Sequence, residues 1–367
     1  MKTRIDVDSL GKVSIPADAY YGPFTARALK QYHVTGHKSH LNLIRAFVMI
    51  KRSAAVANMK VKALDKKRGN AIIQSCDKIL AGNFIDQFVI ESINSGAGTA
   101  FNMNTNEVIA NISLQKLGKK KGQYQFLHPN DHVNMSQSSN DTFPTAMHVS
   151  ILFNIKKTIT AIDILINSLN KKAKQFSTFK KIGRTHLMDA LPITLGSQFA
   201  AYGTSVSKAN NALKIASKEL EYVALGGTAV GSGANAPKGY RKIAISELAK
   251  LSKLSLKPEK DMQHSLQSKF PVVNVSSALR NLAIEINKLS NDIRLMASGP
   301  IAGLGEIVIP AVHAGSSIMP GKVNPSLAEC MNMICFNIFG NDTTVSNAAK
   351  AGQFELNVML QIGRAHV

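Results

Sequence analysis

The run 275-VSSALRNLAIEINKLSNDIRLM-296 places apolar side chains at Val275, Leu279, Leu282, Ile286, Leu289, Ile293 and Met296. Spacings of three and four keep such residues on one face of a helix, whereas a strand alternates its faces residue by residue. The stripe recurs at Leu152, Ile155, Ile159, Ile162, Ile166 and Leu169, and again at Val206, Ala209, Leu213, Ala216, Leu220 and Val223. A shorter stretch has Leu327, Met331, Ile334 and Ile338, and Pro325 just before it suits the first turn of a helix. Long helices with one apolar seam bury it against each other, as bundled helices do. The sequence therefore predicts an all-α, mainly helical fold, with a long central helix bundle over 141–361 and a smaller N-terminal domain over 1–140. The N-terminal part lacks seams of that length and carries turn signals such as 128-HPND-131. The Gly-rich segments 226-GGTAVGSGAN-235, 299-GPIAGLG-305 and 315-GSSIMPG-321 read as loops at helix ends.

A chain of 367 residues, 45% of them hydrophobic, can bury one large core or roughly two to three packed domains. No run of about 18 apolar residues occurs, so no membrane-spanning helix is expected. The start, 1-MKTRIDVD-8, has no apolar stretch behind its charges. No signal peptide is expected, and the localisation is read as cytoplasmic. Cys76, Cys330 and Cys335 are too few and too scattered for a disulfide framework or a zinc site, and neither metal nor cofactor is expected. The charge is lopsided, with 44 Lys+Arg against 23 Asp+Glu and a net +21. A nucleic-acid partner is still not expected. The lysines fall in scattered pairs such as Lys156-Lys157 and Lys171-Lys172, and 6% aromatic content without tryptophan leaves few stacking platforms. They read as solvated faces.

Four polar, small-residue segments stand apart from the seams: 96-GAGTAFNMNTNE-107, 136-SQSSND-141, 183-GRTHLMDA-190 and 315-GSSIMPGKVNP-325. Each gathers hydroxyls, amides or a cation beside Gly or Pro. Singly, any of the first three reads equally well as a cap or a turn. The fourth sets two serines, a lysine and an asparagine between two glycines and two prolines. That composition packs poorly and suits a mobile loop that carries a cation to a ligand.

These four segments resemble, in order and spacing, the conserved regions of the aspartase/fumarase superfamily. The run 315-GSSIMPGKVNP-325 resembles its signature loop residue for residue, and the similarity extends from about Ile5 to Met359. The resemblance implies a cofactor-free lyase acting on a small dicarboxylate. It also implies a homotetramer whose central bundle draws helices from every subunit and whose active sites take segments from three of them. Within the superfamily, 96-GAGTAFNMNTNE-107, 19-AYYG-22 and 86-DQF-88 lean towards aspartases, which convert L-aspartate to fumarate and ammonia. The segments 183-GRTHL-187 and 138-SSND-141 lean towards class II fumarases.

The chemistry sets the demand. Removing the Cβ proton beside a carboxylate creates a doubly charged aci-carboxylate, so stabilising that charge is the main task. By resemblance, Thr99, Ser138, Ser139 and Ser317 donate hydrogen bonds to it. Lys322, Asn324 and Thr185 hold the α-carboxylate, and Asn140 and His186 orient the amino group. Ser316 is the base. A serine hydroxyl acts so only when ionised, which requires N–H donors and a nearby cation. The Gly315–Gly321 loop and Lys322 are expected to supply them.

Three positions depart from the family pattern: Ile301 in place of the usual Arg, Met188 in place of Gln, and Ala234 in place of Leu. Two other readings stay open, a class II fumarase and an inactive basic binding protein on the same fold. The last six residues, 362-IGRAHV-367, match one reading frame of a widely used sequencing adapter, ATC GGA AGA GCA CAC GTC. They are expected to be adapter-derived, with the bundle incomplete and the family's small C-terminal domain absent.

Overall fold

The computed structural model describes residues 2–94 and 96–360. The expected adapter-derived tail, 362–367, lies outside the described residues. Helix dominates, as the seams predict, with three small two-stranded sheets added. The chain separates into two compact units, and neither is one continuous stretch of sequence. The first holds residues up to Ile155, Ser217–Val273 and those from Thr344 onward. The second holds Lys156–Ala216 and Asn274–Thr343.

The first unit opens with an antiparallel hairpin, β1 (Thr3–Asp8) and β2 (Gly11–Pro16), paired Thr3 to Pro16. Helices α1 (Pro23–Gln31), α2 (Leu41–Lys60), α3 (Lys66–Leu80) and α4 (Thr99–Lys116) follow. The core forms where α2 and α4 meet the start of α5 (Ser139–Gln175). Phe47 packs edge-on against Phe101 at 4.9 Å and against Phe143 at 5.4 Å, and all three are fully buried. Helix α4 explains why no seam appears before residue 140. It is buried on every side, and Asn102, Asn104, Thr105, Asn106 and Glu107 lie inside beside Val108 and Ile109. A helix buried all round has no polar face to alternate with, so its period vanishes from the sequence.

In the second unit, α5 is followed by a second antiparallel hairpin, β3 (Lys180–Thr185) and β4 (Met188–Thr194), and then by α6 (Leu195–Ser217). A parallel pair, β5 (Tyr222–Val223) and β6 (Lys257–Pro258), brackets α7 (Tyr240–Ser252) and belongs to the first unit, as does α8 (Met262–Gln267). Two long helices close the sequence of elements, α9 (Phe270–Met296) and α10 (Ser326–Lys350). The short fourth stripe is thus part of a much longer helix. Polar bonds lock the second unit's helices together: Asn210 Nδ2 to Asp163 at 2.8 Å, Tyr202 Oη to Asp292 at 2.6 Å, and Ser276 Oγ to Asp342 at 2.5 Å. Gly196 lets α6 approach the end of α5, because a Cβ there would sit 2.4 Å from the Ala173 carbonyl. The stripe on α10 is left largely open to solvent, with Leu327, Met331 and Ile334 exposed and Ile338 half-buried.

Candidate active site

Gly96–Gly98 forms a tight turn in which Ala97 (φ 56°) and Gly98 (φ 71°) are both left-handed. At Gly98 only glycine fits, since a Cβ would lie 1.9 Å from the Phe143 ring. The turn delivers Thr99 as the first residue of α4, with no side chain capping the helix. The positive dipole end of α4 therefore lies at this turn, where it favours a negative charge. Thr99 Oγ1 lies 3.3 Å from Ser139 Oγ, so two segments 40 residues apart become one hydroxyl pair.

Asp141 organises the second segment from beneath. Its Oδ1 accepts from Ser138 N at 3.0 Å, and its Oδ2 accepts from Gly226 N at 3.0 Å and Thr228 N at 2.9 Å. Burial pushes the carboxyl up to about 6 against the pull of these three donors. Asn140 donates through Nδ2 to the Ala229 carbonyl at 2.9 Å. Its amide orientation is thereby fixed, with the oxygen end turned away from that contact. Ser138 Oγ accepts from Asn140 N at 3.2 Å. Thr99, Ser138, Ser139 and Asn140 thus form one cluster in the first unit.

A fully buried ammonium braces this cluster from the other side. Lys51 Nζ donates to Asn102 Oδ1 and Asn134 Oδ1, both at 2.7 Å, and to Gln137 Oε1 at 3.0 Å. These three oxygens use all three ammonium hydrogens. Burial alone pushes the group down to about 7. Glu107, at the far end of the same motif, accepts from the N–H groups of Gly22, Phe24 and Thr25 at 2.8, 2.9 and 3.1 Å and so caps α1. Burial raises it to about 7. Gly22 is required there because a Cβ would meet the Tyr124 hydroxyl at 2.4 Å.

The remaining predicted residues lie in the second unit, on two exposed devices. Thr185 ends β3, and His186 (φ 54°) and Leu187 (φ 61°) make the two-residue turn to Met188. A left-handed pair suits the twist of a hairpin, but it ordinarily uses Asn and Gly. A cavity of about 580 Å³ beside the hairpin is lined by Thr185, Arg184, Lys181, Lys288, Asp292 and Glu306, among others. The 315–325 loop is pinched by a bridge between Gly315 and Pro320, and His313 Nε2 lies 3.0 Å from Ser326 Oγ, tying its two ends. Ser316 Oγ accepts one N–H, from Ile318 at 3.4 Å. The expected ring of donors is reduced to this one long contact. Ser317 and Lys322 point into solvent and Asn324 is half-buried, lining a separate apolar groove with Leu289, Ile293 and Leu327.

Sequence reasoning passed over Lys51, Glu107, Asp141 and Glu306. The signal for Lys51 was a cation at helical spacing from Ile44, Phe47 and Val48 in 41-LNLIRAFVMIKRSAAVAN-58, whose other two cations, Arg45 and Arg52, fall off that face. Of the departures from the family pattern, Ile301 is wholly exposed and Met188 is 70% exposed. Among the described residues, no group of three or more His, Cys, Asp or Glu is arranged to hold a metal ion.

Residues 11–340 match a family described as lyase. An aspartate ammonia-lyase from Bacillus sp is 46% identical over 97% of this chain and 76% of its own length. A class II fumarate hydratase from Thermosynechococcus vestitus is 44% identical over 97% and 76%. A recombinant class II fumarase from Schistosoma mansoni superposes with a TM-score of 0.95 at 36% identity, covering 99% of this chain and 80% of that one. The protein is thus an enzyme of the lyase class. The chain belongs to the aspartase/fumarase superfamily.

Proposed function

We propose that the protein eliminates ammonia from L-aspartate to give fumarate, as a cytoplasmic homotetramer in which different copies supply the segments of each active site. The observation that carries this reading is the segment 96-GAGTAFNMNTNE-107, aspartase-like at Ala97 and Thr105, which sets Thr99 against Ser139 at the N-terminus of α4. Thr99, Ser138 and Ser139, with Ser317, receive the β-carboxylate. Preorganised dipoles there stabilise the second negative charge as it develops. Ser316, ionised when the loop closes over substrate, takes the Cβ proton. The electron pair of that bond resides in the aci-carboxylate, then forms the Cα–Cβ double bond as the C–N bond breaks and ammonia leaves. Lys322, Asn324 and Thr185 hold the α-carboxylate. Asn140 supports a nitrogen leaving group: its Nδ2 donates to Ala229, and Oδ1, which accepts one long contact from Ser139 Oγ at 3.5 Å, has a second lone pair to accept from an ammonium. His186 orients the same group.

The fumarase reading retains one specific support, the 44% identical hydratase together with His186 in 183-GRTHL-187. One ultraviolet assay separates the two. Fumarate should appear from L-aspartate and disappear with ammonia. Hydration of fumarate to malate at an equal or greater rate would overturn the aspartase assignment.

A further inference from the structure

We propose that Glu306 is a positioning residue for the hairpin that presents Thr185 and His186, acting through a two-pronged ionic clamp on Lys181 and Arg184. The proposal rests on the reading of Thr185 and His186 as substrate contacts. Its structural basis lies wholly in the second unit. Glu306 Oε2 pairs with Lys181 Nζ, and Oε1 pairs with Arg184 Nη1. The lysine and the glutamate each retain 14% side-chain exposure, so that arm of the clamp is partly shielded from water, while Arg184 retains 27%.

Lys181 and Arg184 are three residues apart and would face opposite sides of a regular strand. The pairing register shifts between Ile182 and Arg184, where Ala190 and Leu191 together oppose the single residue Gly183. Such a bulge bends the ladder and re-aims side chains, which brings both cations to one carboxylate. Gly183 tolerates the crowding, since a Cβ would come within 3.1 Å of the Leu191 carbonyl.

The clamp is needed because little else fixes the hairpin. Leu187, Met188 and Leu191 are 73%, 70% and 75% exposed, so apolar packing within the unit does not set its tilt. Glu306, in contrast, is anchored. Its backbone N–H donates to the Met296 carbonyl at the end of α9 at 2.8 Å. A second line braces the lysine: Lys181 donates to Gln198 Oε1 at 2.8 Å, Gln198 to Tyr202 Oη at 2.6 Å, and Tyr202 to Asp292 on α9 at 2.6 Å. The hairpin thus takes its bearing from α6 and α9 through charges at its base. Thr185 follows Arg184 directly, so a tilt there moves the hydroxyl and the imidazole together.

The test is steady-state kinetics on the assembled enzyme. Glu306→Gln keeps the shape and removes the charge. It should lower kcat/KM by about 10- to 100-fold, the cost of displacing a positioned group by roughly an ångström, while the thermal midpoint shifts little. Glu306→Asp should recover part of the loss. The decisive readout is a double-mutant cycle with Thr185→Ala. Once the clamp is gone, removing the hydroxyl should cost at most twofold more, because it is already out of place. Should Glu306→Gln fail to assemble, Arg184→Gln and Lys181→Gln approach the clamp from the hairpin and should show the same coupling. Wild-type kinetics in Glu306→Gln, or strictly additive losses, would overturn the proposal. A Thr185→Ala enzyme with unchanged kinetics would instead sink the assignment of Thr185 to the site, and the clamp's role with it.

Discussion

The first unit braces its share of the site from within, while the second holds its share only at the base. Ser138, Ser139 and Asn140 sit on a platform whose supports, Lys51 and Asp141, are wholly buried and bonded on every side. The His186 turn and the Ser316 loop stand in solvent, steadied by Glu306 and by the His313–Ser326 contact. The difference separates two tasks. Groups that receive developing charge gain most from rigidity, because their dipoles need no reorganisation during reaction. Groups that fetch a proton or clasp a substrate must move to admit it.

That contrast can be broken most sharply at Ser316. Ser316→Ala should lower kcat by on the order of a thousandfold or more and leave the melting temperature unchanged, since the hydroxyl makes one long contact. A variant keeping a third of the wild-type rate would remove Ser316 from the role of base.

Asp141→Ala attacks the braced side and should do the opposite first. Three backbone N–H groups lose their acceptor and buried Lys51 loses the negative charge that favours its ammonium form. The expected cost is about 3–5 kcal/mol of stability, read by denaturant unfolding, with activity falling alongside. A loss under about 1 kcal/mol would show that the platform does not depend on this carboxylate.

The smallest effect concerns acid. His148, buried in the first unit with Nδ1 3.0 Å from the Tyr222 carbonyl, is pushed down to about 4 by burial and then by nearby Lys269. Its folded value lies below its unfolded one, so the folded state binds fewer protons between them. Stability is therefore complete above about pH 6.5 and is lost as pH falls towards 4. By pH 5 this amounts to about 2 kcal/mol. His148→Gln should flatten that part of the stability profile, and a slope identical to wild type would exclude His148 as its source.

The long seams made the bundle helices legible, because each keeps water on one side and neighbours on the other. The candidate site was proposed from four clusters of small polar residues, of which the structure joins two through the Thr99–Ser139 contact. The roles given to individual residues came from family resemblance, since a hydroxyl beside glycine reads as readily as a turn. The supports stayed hidden for a physical reason. Lys51, Glu107 and Asp141 are charges on buried faces, where hydrophobic patterning leads a reader to expect none. The β3–β4 hairpin escaped notice because it is exposed on both faces, and its turn is His-Leu where Asn-Gly would announce one.

That His-Leu turn has an evolutionary consequence. Two bulky residues in left-handed backbone store strain of about 1–3 kcal/mol each, which glycine would relieve. Selection for robustness alone would push both positions towards glycine, while under the role proposed for His186 selection for turnover would hold the imidazole at 186. Mutation at this dipeptide therefore trades durability against chemistry, and drift in either direction reveals which of the two a lineage was short of.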